Sequence, residues 1–170
     1  MLRKANINDA KSIYSLISYW AKRKVVLERS LNYIYEHIRD YWVFVYKGKI
    51  VGASSLHVVG WNELGEIKSL VVDKRYHKKG IGKALVNACI EEAVNLKVKS
   101  VFALTFVPSF FKKCGFRKIN KSKLPQKIWS DCINCVYFPH CKEEALILRI
   151  CHTKPASSVS LSLGRSVVKR

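Results

Sequence analysis

One segment constrains the fold of this chain more than any other: an apolar strand pattern that leads through a basic, glycine-containing turn into a helical pattern. The apolar run covers residues 67–72, the turn carries Gly80 and Gly82, and apolar residues recur at helical spacing from Ile81. The first N–H groups of a helix have no partner within the helix, and together with the helix dipole they favour a bound anion. Glycine lets a phosphate approach the backbone closely. The segment therefore predicts a phosphate-binding turn between a strand and a helix, and with it a phosphorylated cofactor.

Two common phosphate-binding patterns do not fit this turn. A Walker loop requires Gly-x-x-x-x-Gly-Lys-Ser/Thr, which the chain does not contain. A Rossmann fingerprint requires a third glycine, and Leu85 stands at that position. Gly-x-Gly alone is weak evidence, so a glycine-containing strand–helix turn without a ligand remains the alternative.

Length and composition indicate one globular domain. The chain has 170 residues, of which 49% are hydrophobic, and no apolar stretch is long enough to cross a bilayer. The N-terminal residues have no apolar segment typical of a secretion signal, so we expect a cytoplasmic protein with no membrane association. In that compartment the six cysteines are expected to be thiols or metal ligands.

The net charge of +19 favours anionic partners, which include nucleic acids and acidic small molecules. The basic residues are spread along the whole chain and form no single block. Aromatic residues such as Trp42 and Phe44 lie in an apolar strand pattern, which is typical of a core. Both observations argue against nucleic acid as a partner, and a basic module whose turn binds nucleic-acid phosphate remains the alternative function.

The order of elements predicts an α/β fold with a mixed central sheet and helices on both faces. The predicted strands are residues 2–5, 41–46, 50–59, 65–72, 100–105, a strand that opens at Phe116, and 144–150. The predicted helices run from Asn8 or Asp9 to Ser18, after a cap at Ser30, over 81–96, and from Pro108 to Gly115. We expect a domain over residues 1–151 and a basic, Ser-rich, disordered tail over 152–170. A docked strand at 159–163 is the alternative for the tail.

The turn and the element order together resemble the GCN5-related N-acetyltransferases, whose pyrophosphate loop reads Arg/Gln-x-x-Gly-x-Gly/Ala. The resemblance covers residues 1–150, and His77 replaces the first residue of the pattern. It implies the fold of that family and acetyl-CoA as co-substrate. The cofactor contacts that it implies are Leu70, Val71, Val72, His77, Lys78, Lys79, Gly80, Ile81, Gly82 and Lys83.

The same resemblance suggests a catalytic base. Many family members have a Tyr that protonates the leaving thiolate, but here that position is Phe111, which has no proton to give. Glu66 matches the Glu that takes the proton of the amine in members with this strand pattern, and Glu63 is its nearest substitute. Such a base is needed because only a neutral amine attacks a thioester. A solvent-facing Glu66 is the alternative.

A narrower resemblance is to the short, single-domain N-acetylglutamate synthases. It rests on Arg29-Ser30-Leu31, the strand at 66–72, residues 103–105, Phe111, and Leu-Pro-x-Lys-x-Trp followed by Cys-x-x-Cys within 124–135. It implies L-glutamate as acceptor, with Arg29, Lys68 and Ser69 as substrate-binding residues, and arginine carboxylate pairs suit that substrate. Another amino acid or a protein N-terminus remains an alternative acceptor. The oligomeric state is open, with a homodimer under consideration.

Cysteines near the C-terminus raise the question of a structural metal. Cys132 and Cys135 form one Cys-x-x-Cys pair, and Cys141, His140 and His152 lie nearby. Zinc prefers four N or S ligands, but the third spacing is irregular. We therefore predict reduced thiols and no metal here, and packing roles for Cys89 and Cys114.

Overall fold

The computed structural model describes residues 1–60, 63–124, 132 and 140–150. Seven strands form one sheet: β1 (Leu2–Lys4), β2 (Tyr41–Tyr46), β3 (Lys49–Val59), β4 (Leu64–Val72), β5 (Ser100–Thr105), β6 (Arg117–Ile119) and β7 (Glu144–Arg149). The α-helices whose bounds lie within these described residues are α1 (Ala10–Ala21), α2 (Leu31–Glu36), α3 (Ile81–Asn95) and α4 (Pro108–Lys113). Short 3-10 turns lie at Ile7–Asp9, Ile38–Asp40, Lys74–Tyr76 and Lys121–Lys123.

The sheet is mixed, with the strand order β1-β2-β3-β4-β5-β7-β6. The β4–β5 pair is parallel and the other pairs are antiparallel. The parallel connection runs through α3, which packs on the sheet as a crossover helix requires. The helix that follows the glycine turn is therefore anchored against the centre of the sheet.

Helices cover both faces of the sheet, as the sequence predicts. On one face, Ile13 and Ile17 of α1 and Ile34 of α2 pack with Val43 and Ala53. A second cluster on the opposite face joins α3 to the sheet, and its members include Leu56, Ile67, Val86, Cys89 and Ala93. Successive strand residues point to opposite faces, so α1 and α2 bury one set of side chains and α3 buries the other.

The predicted elements are observed with small shifts at their ends. The first helix continues to Ala21 instead of ending at Ser18, and the short helix ends at Lys113, before the predicted stop at Gly115. Two predicted signals are confirmed: the Ser30 side chain caps α2 by accepting a hydrogen bond from the Tyr33 N–H, and Pro108 opens α4. The tail at 152–170, its alternative strand and most of the 124–135 motif lie outside the described residues.

Candidate active site

The parallel strands β4 and β5 pair over only three residues before they separate. Leu64 pairs with Ser100, and Glu66 with Phe102 forms the last pair. Beyond that point β4 continues to Val72 along β3, while β5 continues to Thr105 along β7. A cleft therefore opens between the two central strands, and β4 turns backbone groups toward it. The sequence analysis did not predict this separation.

A break in strand register lies where the cleft opens. Ser55 is opposite Lys68 but Ala53 is opposite Val71, so Ser69 and Leu70 together face a single residue of β3. This is a β-bulge, and Ser69 has a φ of +52°, in the left-handed region that costs energy for a residue with a side chain. The bulge reverses the alternation of the strand. Lys68 and Val71 consequently share the face covered by α1 and α2.

The predicted phosphate turn has the geometry that the sequence indicates. Gly80 is the N-cap of α3 with a φ of +78°, and no side chain caps the helix. The first helical hydrogen bond runs from the Ala84 N–H to the Gly80 carbonyl, so the N–H groups of Ile81, Gly82 and Lys83 precede the helical ladder. These donors lie at the positive end of the helix dipole and suit a diphosphate.

The side chain of His77 has a structural role in this turn. Its Nε2 lies 3.0 Å from the Val72 carbonyl, and its ring stacks on Trp20, whose Nε1 donates to the same carbonyl at 2.9 Å. The ring thus ties the end of β4 to α1. His77 is nevertheless exposed, as are Lys78, Lys79 and Lys83.

Glu66 lies at the base of the cleft. The residue is only 7% exposed, and one carboxylate oxygen is 3.1 Å from the Lys68 Nζ. The alternative of a solvent-facing Glu66 is therefore wrong. Glu63, its proposed substitute, is exposed and forms an ion pair with Lys99 at the surface. A buried carboxylate at the end of a cleft can accept a proton from a bound amine.

Cationic and hydroxyl groups surround Glu66 on the same face of the sheet. His57 is its cross-strand partner on β3, and Tyr41 of β2 is opposite Ser55. Arg29 lies just before α2, with its guanidinium 5.0 Å from the centre of the Tyr33 ring. Burial is the main cause of the pKa shifts of Tyr41, His57 and Glu143, and the charge of Arg29 is a smaller cause at each. The structure therefore brings Arg29 and Lys68 to one polar region, as the resemblance implied.

Two buried polar atoms in this region have no hydrogen-bond partner: the Arg29 Nε and the Tyr41 hydroxyl. Burial raises the pKa of Tyr41, while the nearby Ser69 and, more weakly, Ser55 oppose that shift. Buried polar groups in proteins are nearly always satisfied, so unsatisfied ones suggest a place where a ligand binds. Sequence reasoning missed Tyr41 because it reads as part of an apolar strand.

His57 was also missed, although it is buried next to the candidate base. Burial, and secondly the charge of Lys68, lower its pKa to about 4. It is therefore neutral at pH 7, and its Nε2 lies 3.0 Å from the Ser55 hydroxyl. The only available signal in the sequence was a lone His in a strand, which is usually a core residue.

Other candidate residues have structural positions. Phe111 is buried between Phe110 and Phe116, so position 111 offers no proton donor. Cys89 is buried, and burial raises the pKa of its thiol to about 12, which makes it inert. Burial also raises the pKa of Cys114. Cys141 is a free thiol in the described part of the chain, whereas Cys135 and His152 lie outside it.

A surface groove of about 890 Å³ lies elsewhere, between α1, the β2–β3 turn and residues 73–75. Its lining includes Lys11, Tyr19 and Lys49 but neither Glu66 nor Arg29. This groove is therefore separate from the candidate active site around Glu66.

The model of the GNAT acetyltransferase family matches residues 8–116, which include the cleft, the turn and α4. The chain belongs to the GNAT family. An uncharacterised N-acetyltransferase of Chlorobaculum tepidum is 38% identical over 86% of this chain and 94% of its own length. An amino-acid acetyltransferase of Mycobacterium tuberculosis is 34% identical over 77% of this chain and 76% of its own length.

Solved GNAT structures have the same fold. The N-acetylglutamate synthase of Neisseria gonorrhoeae, in complex with coenzyme A and N-acetyl-glutamate, has a TM-score of 0.83 and 24% identity, and covers 89% of this chain but only 35% of its own. An M. tuberculosis protein in complex with coenzyme A has a TM-score of 0.77 and 28% identity over 89% of this chain and 99% of its own. The predicted mixed α/β fold of this family is confirmed.

This GNAT protein is an N-acetyltransferase, and acetyl-CoA is its co-substrate. The residues present fit that molecule. Uncapped N–H groups at the start of α3 suit the pyrophosphate, and the cleft between β4 and β5 gives an extended thioester chain access to the β4 backbone.

In the described part of the chain, we find no helix with both the length and the apolar character needed to cross a membrane.

Gly82→Asp tests the phosphate turn. A Cβ on Gly82 would lie 3.2 Å from the Phe110 ring, and the carboxylate would add negative charge beside the helix N-terminus. We expect acetyl-CoA to bind about tenfold or more weakly, since like charges repel. Isothermal titration calorimetry measures the dissociation constant.

Gly82→Asn is the matched control, because Asn has nearly the same size without the charge. We expect it to lose less affinity than Gly82→Asp. An acidic residue in the first helical turn stabilises a helix, so loss of the helix is not the expected cause. Equal affinities for the wild type and a folded Gly82→Asp variant would refute the turn as the pyrophosphate site.

Proposed function

We propose that this enzyme acetylates the α-amine of a free acidic amino acid, with L-glutamate as the preferred acceptor. The observation that carries the proposal is the polar region around Glu66, where a buried carboxylate, Lys68 and Arg29 meet at the base of the cleft. An acidic amino acid brings one ammonium and two carboxylates. The ammonium complements the carboxylate of Glu66, and the two carboxylates complement Lys68 and Arg29.

The likeness to amino-acid acetyltransferases supports this choice of substrate. The M. tuberculosis relative carries that name at 34% identity. The N. gonorrhoeae structure holds N-acetyl-glutamate, although its 24% identity argues for the fold alone. Glutamate is therefore the first acceptor to test.

In the proposed mechanism, Glu66 accepts a proton from the substrate ammonium. The neutral nitrogen then forms a bond to the acetyl carbon, and the bond between that carbon and the CoA sulfur breaks. β4 no longer pairs with β5 beyond Glu66, and we propose that backbone N–H groups of this part of β4 polarise the thioester carbonyl. Phe111 cannot protonate the departing thiolate. Bond formation leaves the attacking nitrogen with one further proton to release, and transfer of that proton to the CoA sulfur balances the step.

Arg29 and Lys68 are proposed to hold the acceptor carboxylates, together with the backbone at Ser69. Arg29 lies near the half-buried Glu143, whose pKa is raised by desolvation, so a substrate carboxylate competes with this side chain for Arg29. Lys68 is already paired with Glu66 and is shared between the base and the substrate. Arginine gives the more directional contact because its planar group binds carboxylates at two points.

A panel of acceptors tests the proposed function directly. Purified enzyme is incubated with acetyl-CoA and glutamate, aspartate, glutamine, other amino acids or peptides with free N-termini, and thiol release is followed. We expect the highest kcat/KM for glutamate and a large loss with glutamine, which lacks the side-chain charge. Equal rates with glutamate and glutamine would refute recognition of that carboxylate. Peptide acetylation without amino-acid acetylation would make the enzyme a protein N-terminal acetyltransferase.

The reaction is proposed to occur in the cytoplasm, as the sequence predicts. Cys89, Cys114 and Cys141 are free thiols, which suits a reducing compartment. A homodimer remains a prediction, which light scattering of the purified protein tests.

Tyr41→Phe tests whether the unpartnered hydroxyl binds the acceptor. Loss of one hydrogen bond costs roughly 0.5–1.5 kcal/mol, so we expect the KM for glutamate to rise about two- to tenfold while the KM for acetyl-CoA is unchanged. The free energy of unfolding should stay level or rise, because the substitution removes a buried hydroxyl that has no partner. Steady-state kinetics and urea denaturation provide the two measurements.

Ser18→Ala is the control for that experiment. Ser18 has the other unpartnered buried hydroxyl among the described residues, and it lies on α1. We expect this variant to keep the wild-type KM for glutamate. A Tyr41→Phe variant with an unchanged KM would show that its hydroxyl does not contact the acceptor.

A further inference from the structure

Three side chains of types that bind metals lie close together beside the polar region around Glu66, on separate elements. His37 is the C-cap residue of α2, Asp40 ends the 3-10 turn before β2, and His57 lies in β3. The Asp40 Oδ2 is 3.1 Å from the His37 Nδ1 and 3.6 Å from the His57 Nδ1. One potential ligand atom from each residue lies within 4.8 Å of the other two. We propose that His37, Asp40 and His57 form a binding site for a zinc-like transition-metal ion.

The two separations that involve Asp40 are close to those of tetrahedral coordination. Zinc binds histidine nitrogen and carboxylate oxygen at about 2.0–2.2 Å, which separates neighbouring ligand atoms by roughly 3.3–3.5 Å. The two measured separations lie on either side of that range. Small rotations of the side chains would therefore admit an ion, and three protein ligands would leave the fourth position to water.

Neighbouring groups hold two of the ligands in place. The second ring nitrogen of His57 lies 3.0 Å from the Ser55 hydroxyl, which is the type of outer contact that orients metal-bound histidines. The His37 ring lies 4.3 Å from the Tyr33 ring. His37 and Asp40 remain more than one-third exposed, so an ion can enter from solvent.

The surrounding charge selects the class of metal. Arg29 and Lys68 act on His57 and disfavour a cation, although Lys68 is paired with Glu66. One carboxylate among these cations gives too little negative charge to bind Mg²⁺ or Ca²⁺, which prefer several oxygen ligands. Imidazole nitrogen instead favours Zn²⁺, Co²⁺, Ni²⁺ and Cu²⁺.

The binding test uses the full chain with Cys132, Cys135 and Cys141 changed to Ser, which removes the separate thiol candidates. Isothermal titration calorimetry with Zn²⁺ should show one binding event per chain, and Mg²⁺ should show none. Co²⁺ should give weak visible absorption bands without an intense thiolate charge-transfer band. Absence of Zn²⁺ and Co²⁺ binding would reduce the three residues to a hydrogen-bonded cluster and overturn the proposal.

Variants assign the ligands. In the same background, His57→Ala and Asp40→Asn should each weaken Zn²⁺ binding more than tenfold, and Ser55→Ala should weaken it about tenfold through the outer contact. His140→Ala is the matched control, since it removes an exposed histidine outside the cluster. If His57→Ala kept its Zn²⁺ affinity while His140→Ala lost it, the ion would bind outside this cluster and the proposed site would be refuted.

Occupancy of this site should affect catalysis, a consequence that rests on the proposed function. His57 is opposite Glu66, so an ion bound there adds positive charge near the group that must accept a proton. We expect Zn²⁺ to inhibit acetylation of glutamate at concentrations that fill the site, and EDTA to restore the rate. Binding without inhibition would refute this coupling. A wild type that binds Zn²⁺ but acetylates no amino acid would instead count against the proposed function.

Discussion

Glu66→Gln should lower the rate of acetyl transfer at pH 7 by about 100-fold or more, while the affinity for acetyl-CoA stays nearly unchanged. A general base typically contributes about 10²–10⁴-fold, and glutamine cannot accept the ammonium proton. The buried carboxylate lies where β4 and β5 separate, whereas the phosphate turn is at the opposite end of β4. Steady-state kinetics and calorimetry separate the two effects.

The pH dependence sharpens this prediction. As the pH rises toward the pKa of the substrate amine, more of the amine is neutral and the defect of Glu66→Gln should shrink. Glu63→Gln is the matched control, because Glu63 is exposed and paired with Lys99. Wild-type activity of Glu66→Gln at pH 7 would remove Glu66 from the mechanism, and a loss confined to Glu63→Gln would transfer the role.

Arg29→Ala should raise the KM for glutamate by about tenfold to a hundredfold, with little change in the KM for acetyl-CoA. A hydrogen bond to a charged group is worth roughly 1.5–3 kcal/mol, and the Arg29 Nε is buried without a partner in the structure described here. Arg29→Lys should recover only part of the loss, because an ammonium lacks the planar two-point geometry. Kinetics with glutamate and glutamine measure how much of the effect comes from the side-chain charge.

Arg23→Ala is a close control for Arg29→Ala. Arg23 also lies over a tyrosine, with its guanidinium 3.7 Å from the centre of the Tyr19 ring, but its surface is exposed. We expect it to leave the KM for glutamate unchanged. Equal effects of the two variants would indicate a general influence of positive charge and would contradict a specific carboxylate contact at Arg29.

The sequence alone predicted the features that depend on neighbouring residues. Helical spacing from Ile81, the cap at Ser30 and the proline at 108 each act within a few residues, and the structure contains the elements that they indicate. The phosphate turn was predictable for the same reason. Its glycine N-cap and unpaired N–H groups follow from where a strand pattern ends and a helix pattern begins.

The polar region around Glu66 required the tertiary structure because its members meet only through strand pairing. The bulge at Ser69 reverses which β4 side chains share a face, and strict alternation along the strand cannot predict that reversal. The separation of β4 from β5 depends on pairing between distant segments. Tyr41 and His57 look like ordinary strand residues until β2, β3 and β4 are aligned, whereupon they lie beside Glu66, Lys68 and Arg29. Local sequence patterns determined the secondary-structure elements and the glycine turn before α3. Pairing between distant strands decided which side chains surround Glu66.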